Sequence, residues 1–185
     1  FDWRDYLMNL PNRLTVLRII AIPFFIFFLM TDFVPFSKWI AFGLFIIASL
    51  TDFLDGYIAR KYNLVSDFGK FADPLADKLF VCSALICLLA ADRINFLIVL
   101  VIIARDFIIS GFRLVAASKG VVIAADMSGK VKTALQMVMI LMIIAQIKFL
   151  FYPTLVLEFV VLFLTVFSLI ECLIKNRAVL KEDKK

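Results

Sequence analysis

Four aspartates set within apolar sequence, Asp52, Asp55, Asp73 and Asp77, are the residues of this chain whose type and spacing could do chemistry. A charged side chain at membrane depth is expensive and is kept for a function or for strong pairing. On a helix turning about 100° per residue, Asp52 and Asp55 lie roughly 60° apart, and the small residues Gly56 and Ala59 share their face. Asp73 and Asp77 are one turn apart on the next apolar run, with Gly69 one turn earlier, and the tight link from Lys61 to Phe68 allows the two pairs to face each other. Four carboxylates converging without a histidine favour hard divalent cations such as Mg2+ or Mn2+. Two such ions can clamp a diphosphate during in-line displacement. The residues by themselves suggest phosphoryl-type transfer at a membrane face. A plainer reading has the aspartates capping helices and pairing with Arg60, Lys61, Lys70 and Lys78, but four carboxylates at these depths and spacings favour a site.

The elements that must position these groups are helices in a bilayer. The chain has 185 residues, 64% of them hydrophobic and 19% charged, with a mean hydropathy of +1.02, well above the roughly 45–50% apolar share of a soluble domain. An all-α polytopic membrane protein with six transmembrane helices is expected, with no room for a separate soluble domain. The absence of histidine excludes Ser-His-Asp and Cys-His catalysis and HExxH zinc chemistry. Cys82, Cys87 and Cys172, odd in number and lacking CxxC spacing, read as small core hydrophobes. The net charge of +5 fits basic loops beside membrane spans and anionic headgroups better than a nucleic-acid partner.

Apolar runs broken by charge, Pro and Gly predict helices over 14–31, 37–61, 70–91, 94–118, 128–148 and 152–174. Residues 8–175 form the expected membrane domain. Residues 1–7 precede Met8 as a lead or a junction remnant, and 176–185 form a basic cytoplasmic tail. The first run lacks a small-residue cleavage pattern and is expected to be retained. Of the 20 Lys and Arg, only Lys38, Arg93 and Lys148 fall in the loops opposite the termini, which places both termini and the aspartate cluster on the cytoplasmic side of the inner membrane.

The segment Asp52-Phe53-Leu54-Asp55-Gly56-Tyr57-Ile58-Ala59-Arg60, followed by Gly69, Asp73 and Asp77, reads DxxDGxxAR-x8-GxxxDxxxD and resembles the signature of the CDP-alcohol phosphotransferases, with all eight fixed positions present over 26 residues. The resemblance implies a six-helix membrane enzyme, commonly a homodimer, that binds two metal ions, Mg2+ or Mn2+, and transfers a substituted phosphate from a CDP-linked lipid to an alcohol. It assigns Asp52, Asp55, Asp73 and Asp77 as metal ligands, with Asp77 also the base for the acceptor hydroxyl. Gly56, Ala59, Arg60 and Gly69 fall in the part that receives the CDP-lipid. A guanidinium at Arg60 could neutralise charge on the leaving nucleotide, or could order the helix end as a salt bridge.

Three further stretches, Leu10 to Arg18, Ile103 to Arg113 and Gly129 to Thr133, resemble the bacterial phosphatidylglycerophosphate synthase branch of that family. That likeness implies CDP-diacylglycerol as donor, sn-glycerol 3-phosphate as acceptor, and phosphatidylglycerol phosphate and CMP as products. Arg105 and Arg113, about 80° apart on one helix, can share a volume with Lys130 and Lys132 of the next, a basic volume suited to an acceptor phosphate. The competing reading pairs the arginines with Asp106 or Asp126 or lets them snorkel, makes Asn12 and Thr15 helix caps, and leaves Lys130 and Lys132 as loop charge. Met127, Met137, Met139 and Met142 read as packing or lipid-facing residues. Other readings are another family member, of inositol-phosphate, serine or cardiolipin type, and a divalent-cation transporter with the aspartates as its permeation site.

Overall fold

The computed structural model describes the backbone of residues 10–31, 34–61, 67–121, 123 and 126–177 and, within these, the side chains of all but 10–14, 52–61 and 67–74. Among the described residues six α-helices follow one another: α1 (Leu10–Met30), α2 (Ser37–Lys61), α3 (Asp67–Ala90), α4 (Phe96–Ser118), α5 (Met127–Ala145) and α6 (Phe151–Lys175), with a short 3-10 turn at Lys148–Leu150 before the last. There is no strand among the described residues. The fold is therefore all-α, as the apolar runs predict. α5 and the helical stretch Lys148–Lys175 are each long and apolar enough to cross a bilayer, and α1 and α2 contain apolar stretches at Thr15–Met30 and Ser37–Thr51.

The helices fall three and three into two compact units, Phe1–Arg93 and Ile94–Lys185. In the first, α1 packs on both α2 and α3. α1 buries Thr15, Arg18, Ile22, Phe25 and Leu29 at alternating steps of three and four, α2 buries Ala41, Phe45 and Ala48, and α3 buries Ala76, Phe80, Ala84 and Leu88. These are single stripes of a 3.6-residue period. The stripes meet at a ring cluster with one phenylalanine from each helix: Phe25 lies 5.9 Å from Phe45 and 5.2 Å from Phe80, and Phe45 stacks on Phe80 at 5.3 Å between centroids. Thr15 belongs to this buried face, five residues into α1, and not to the helix start; the side chain of Asn12 lies outside the described residues.

In the second unit, α6 packs on both α4 and α5. Its buried stripe is mostly small or polar, Glu158, Val161, Thr165, Ser168 and Cys172. Outward it presents Phe159, Phe163, Phe167 and Ile170, all exposed, which water would not tolerate as a continuous surface and lipid would. Small residues at a helix interface let backbones approach where lipid supplies no hydrophobic drive. Cys172 packs with Ile109, Phe112 and Ala116 of α4. None of the three cysteines is in a disulfide, and Cys87 and Cys172 are buried.

The helix ends explain the small departures from the expected boundaries. Asn95 caps α4 by accepting the Leu97 N–H at 2.8 Å, which delays that helix to Phe96. α4 closes in a Schellman motif on Gly120 at φ +74°, with the Val121 N–H on the Ala116 carbonyl and the Gly120 N–H on that of Ala117. α5 ends at Ala145 because Gln146 takes a left-handed conformation at φ 48°.

Candidate functional site

The aspartate motif is laid on two consecutive helices of the first unit. α2 runs without a break to Lys61 and so carries Asp52, Asp55, Gly56, Ala59 and Arg60 in its last turns. α3 carries Gly69 and Asp73 in its first two turns and Asp77 one turn further. The side chains of Asp52, Asp55, Ala59, Arg60 and Asp73, and the surroundings of Gly56 and Gly69, lie outside the described residues. Asp77 is described and is half-buried, one residue past the fully buried Ala76. Among the described residues no three His, Cys, Asp or Glu side chains come together; three of the four expected ligands fall outside that set. The motif's donor set is all oxygen, four carboxylates with no imidazole or thiolate among its fixed positions, which suits a hard divalent cation.

A second polar centre forms in the other unit, where α4, α5 and α6 meet. Arg105 and Asp106 come from mid-α4, Lys132 from the second turn of α5 and Ser168 from the buried stripe of α6. Asp106 Oδ1 accepts from Arg105 Nη1 and from Lys132 Nζ, each at 2.9 Å. Ser168 Oγ accepts from Arg105 Nε at 3.2 Å and from Nη2 at 2.9 Å. Lys132 has 1% of its side chain exposed, Arg105 11% and Asp106 21%. Burying an ammonium and a guanidinium is tolerable only with a carboxylate against them, and Asp106 serves both at once. Both cations thus share one carboxylate oxygen. Gly129, one turn before Lys132 on the α5 side facing Arg105, completes it: a Cβ built there would sit 3.1 Å from Arg105 Nη2.

Of the four basic residues expected to share a volume, Arg105 and Lys132 are brought together, through Asp106. Arg113 and Lys130 are exposed, and their side chains make no ion pair or hydrogen bond among the described residues. The pairing of Arg105 with Asp106 that competed with a ligand role is present, yet it coexists with Lys132 on the same oxygen. Lys132 is no loop charge, being among the most buried side chains. Asp126 pairs with Lys175 of α6 at 3.1 Å and not with an arginine. Lys175 also pairs with Glu171, which accepts from Ser128, so the start of α5 is tied to the end of α6. Ser168 has no counterpart in the sequence reading. Its signal was a polar residue recurring with Glu158, Thr165 and Cys172 on one face of an otherwise apolar helix.

Comparison with known proteins bears on both centres. The family model described as CDP-alcohol phosphatidyltransferase matches residues 8–170. A protein of Bacillus subtilis (strain 168) named CDP-diacylglycerol--glycerol-3-phosphate 3-phosphatidyltransferase is 47% identical over 143 residues, covering 71% of this chain and 74% of the relative. Proteins of the same name from Rickettsia bellii and Mycoplasma pneumoniae are 47% identical over 131 residues and 41% identical over 151. The first covers 70% of this chain and 71% of the relative, the second 72% and 66%.

Proposed function

Because the chain belongs to the CDP-alcohol phosphatidyltransferase family, we propose that it is a membrane phosphatidyltransferase converting CDP-diacylglycerol and sn-glycerol 3-phosphate to phosphatidylglycerol phosphate and CMP. The observation that carries the reading is the full eight-position aspartate motif on α2 and α3. Relatives named for this reaction, at 41–47% identity over most of the chain, support it. We place the reaction in one membrane domain, residues 8–175, at the cytoplasmic face of the inner membrane, where both the nucleotide and the soluble acceptor are found. Homodimerisation is part of the same reading.

Asp52, Asp55, Asp73 and Asp77 would hold two divalent ions, Mg2+ or Mn2+, which when bound neutralise the donor diphosphate and make its lipid-bearing phosphorus electrophilic. Gly56, Ala59 and Gly69 leave room for the CDP-lipid, and Arg60 offsets charge on the departing CMP. Asp77 takes the proton of the acceptor's primary hydroxyl as its oxygen attacks that phosphorus. A new P–O bond forms to the glycerol, and the bond to CMP breaks with its electron pair leaving on CMP. Arg105 and Lys132, assisted by Arg113 and Lys130, hold the acceptor phosphate so that the hydroxyl is presented rather than merely encountered.

The test is incubation of the purified protein with CDP-diacylglycerol and a panel of alcohols, reading the lipid product by mass and CMP by chromatography. Glycerol 3-phosphate should be consumed with equal release of CMP, glycerol should be a poor substrate, and excess EDTA should abolish turnover. A different favoured acceptor would move the chain to another branch of the family. Cation flux without CMP release would favour a transporter, and full turnover in EDTA would sink the metal assignment.

A further inference from the structure

Ser168 does more than a polar residue in an apolar helix needs to do for itself. Such hydroxyls usually satisfy themselves on a carbonyl one turn back, as Thr154 and Thr165 do here on Leu150 and Val161. Ser168 does this with its hydrogen, donating to the Thr165 carbonyl at 3.2 Å. A hydroxyl has two lone pairs besides, and both are directed at Arg105, one taking Nε and the other Nη2. The whole hydrogen-bonding capacity of a side chain only 2% exposed is therefore fixed, and its acceptor half is spent on a guanidinium 63 positions away in sequence.

The consequence falls on Arg105. Nε and Nη2 rest on α6 through Ser168 and Nη1 rests on Asp106, so the plane of the guanidinium is set by three hydrogen bonds from two helices. Two N–H groups of the fork have no partner among the described residues, and Nη2 lies against Gly129, where a Cβ would sit 3.1 Å from it. A guanidinium recognises phosphate through a fixed planar geometry, and holding that plane in advance spares the ordering cost at the moment of binding.

We propose that Ser168 is a positioning residue of the acceptor subsite, acting through Arg105 to orient the guanidinium for the phosphate of the acceptor. This rests on the assignment of Arg105 to the acceptor phosphate made above. α6, which carries none of the motif residues, thereby enters the reaction.

The test compares Ser168→Ala, Arg105→Lys and the double variant with the wild type. KM for glycerol 3-phosphate, KM for CDP-diacylglycerol and kcat are measured for each, with the thermal midpoint in detergent as a check on folding. Loss of hydrogen bonds to a charged group should raise KM for glycerol 3-phosphate about tenfold in Ser168→Ala, with KM for CDP-diacylglycerol and kcat at saturation unchanged. Lysine lacks the Nε and Nη2 pair, so Arg105→Lys should raise the same KM, and adding Ser168→Ala to it should change that KM less than about twofold, as a cycle requires of residues that act as one unit. Two independent, multiplying effects would overturn the inference. So would a Ser168→Ala variant that loses kcat and both KM values together with its thermal midpoint, which is a packing defect. An Arg105→Lys variant with unaltered KM for glycerol 3-phosphate would overturn the acceptor assignment itself and the inference with it. An altered Arg105→Lys beside an unaltered Ser168→Ala would overturn the inference alone.

Discussion

Gly129 shows how one missing methyl group can matter at a charged centre. A Cβ there would stand 3.1 Å from Arg105 Nη2, closer than ordinary packing allows. An arginine tip usually yields to such pressure, but this one is held by Asp106 and Ser168. Gly129→Ala should therefore displace the guanidinium and lower kcat/KM for glycerol 3-phosphate by about tenfold, which corresponds to roughly 1.4 kcal/mol of lost transition-state stabilisation. KM for CDP-diacylglycerol serves as the control, and an unaltered kcat/KM would show that the guanidinium relaxes without loss. Asp77 belongs to the same scale. Its carboxylate is assigned to proton removal, a contribution of about 10²–10⁴ in rate. Asp77→Asn should cost kcat within that range while CDP-diacylglycerol still binds, read as retention of donor by equilibrium binding; equal loss of both would make Asp77 a donor ligand first.

The helices were legible as elements because each apolar run is interrupted by residues whose backbone chemistry is specific. Pro153 falls in the first turn of α6, where its missing N–H has no intrahelical partner to lose. Asn95 and Gly120 mark the two ends of α4. The aspartate motif was legible for a related reason, since its eight positions fit within 26 residues of two consecutive helices. The Arg105 centre was only half legible. The basic residues could be named, but which of them converge depends on where α5 and α6 lie against α4, and nothing local encodes that Asp106 takes two cations or that Ser168 takes the guanidinium. Packing within the first unit carries its own expectation. Phe45 is fully buried against Phe25 and Phe80, so Phe45→Ala opens a cavity bounded by three helices. In water, Phe to Ala costs roughly 3–5 kcal/mol, but a helix removed from its partners in a membrane meets equally apolar lipid. The cost should therefore be nearer the cavity part alone, about 2 kcal/mol, read as a lowered thermal midpoint in detergent. Phe159→Ala on the exposed face of α6 should leave the midpoint within error.

At the scale of the whole chain, the distribution of charge about the helices makes a prediction about orientation that no single contact makes. The residues between α5 and α6 include one basic side chain, Lys148, whereas Lys119 directly follows α4, Lys130 lies in the first turn of α5, and α6 runs out through Lys175 and Arg177 toward a tail rich in lysine. Lys and Arg in short loops are retained on the cytoplasmic side. α5 crosses between these two ends, so residue 118 and residue 148 should lie on opposite faces, with 118 inside. Ser37, buried at the start of α2, would be a poor reporter of the outer face, whereas Ser118 and Lys148 are both exposed. In a background with Cys82, Cys87 and Cys172 replaced by Ala, Lys148→Cys should react with a membrane-impermeant maleimide in intact cells and Ser118→Cys only once the cells are opened. The opposite pattern would turn the protein over in the membrane. The proposed assignment of the reaction to the cytoplasmic face would then fall.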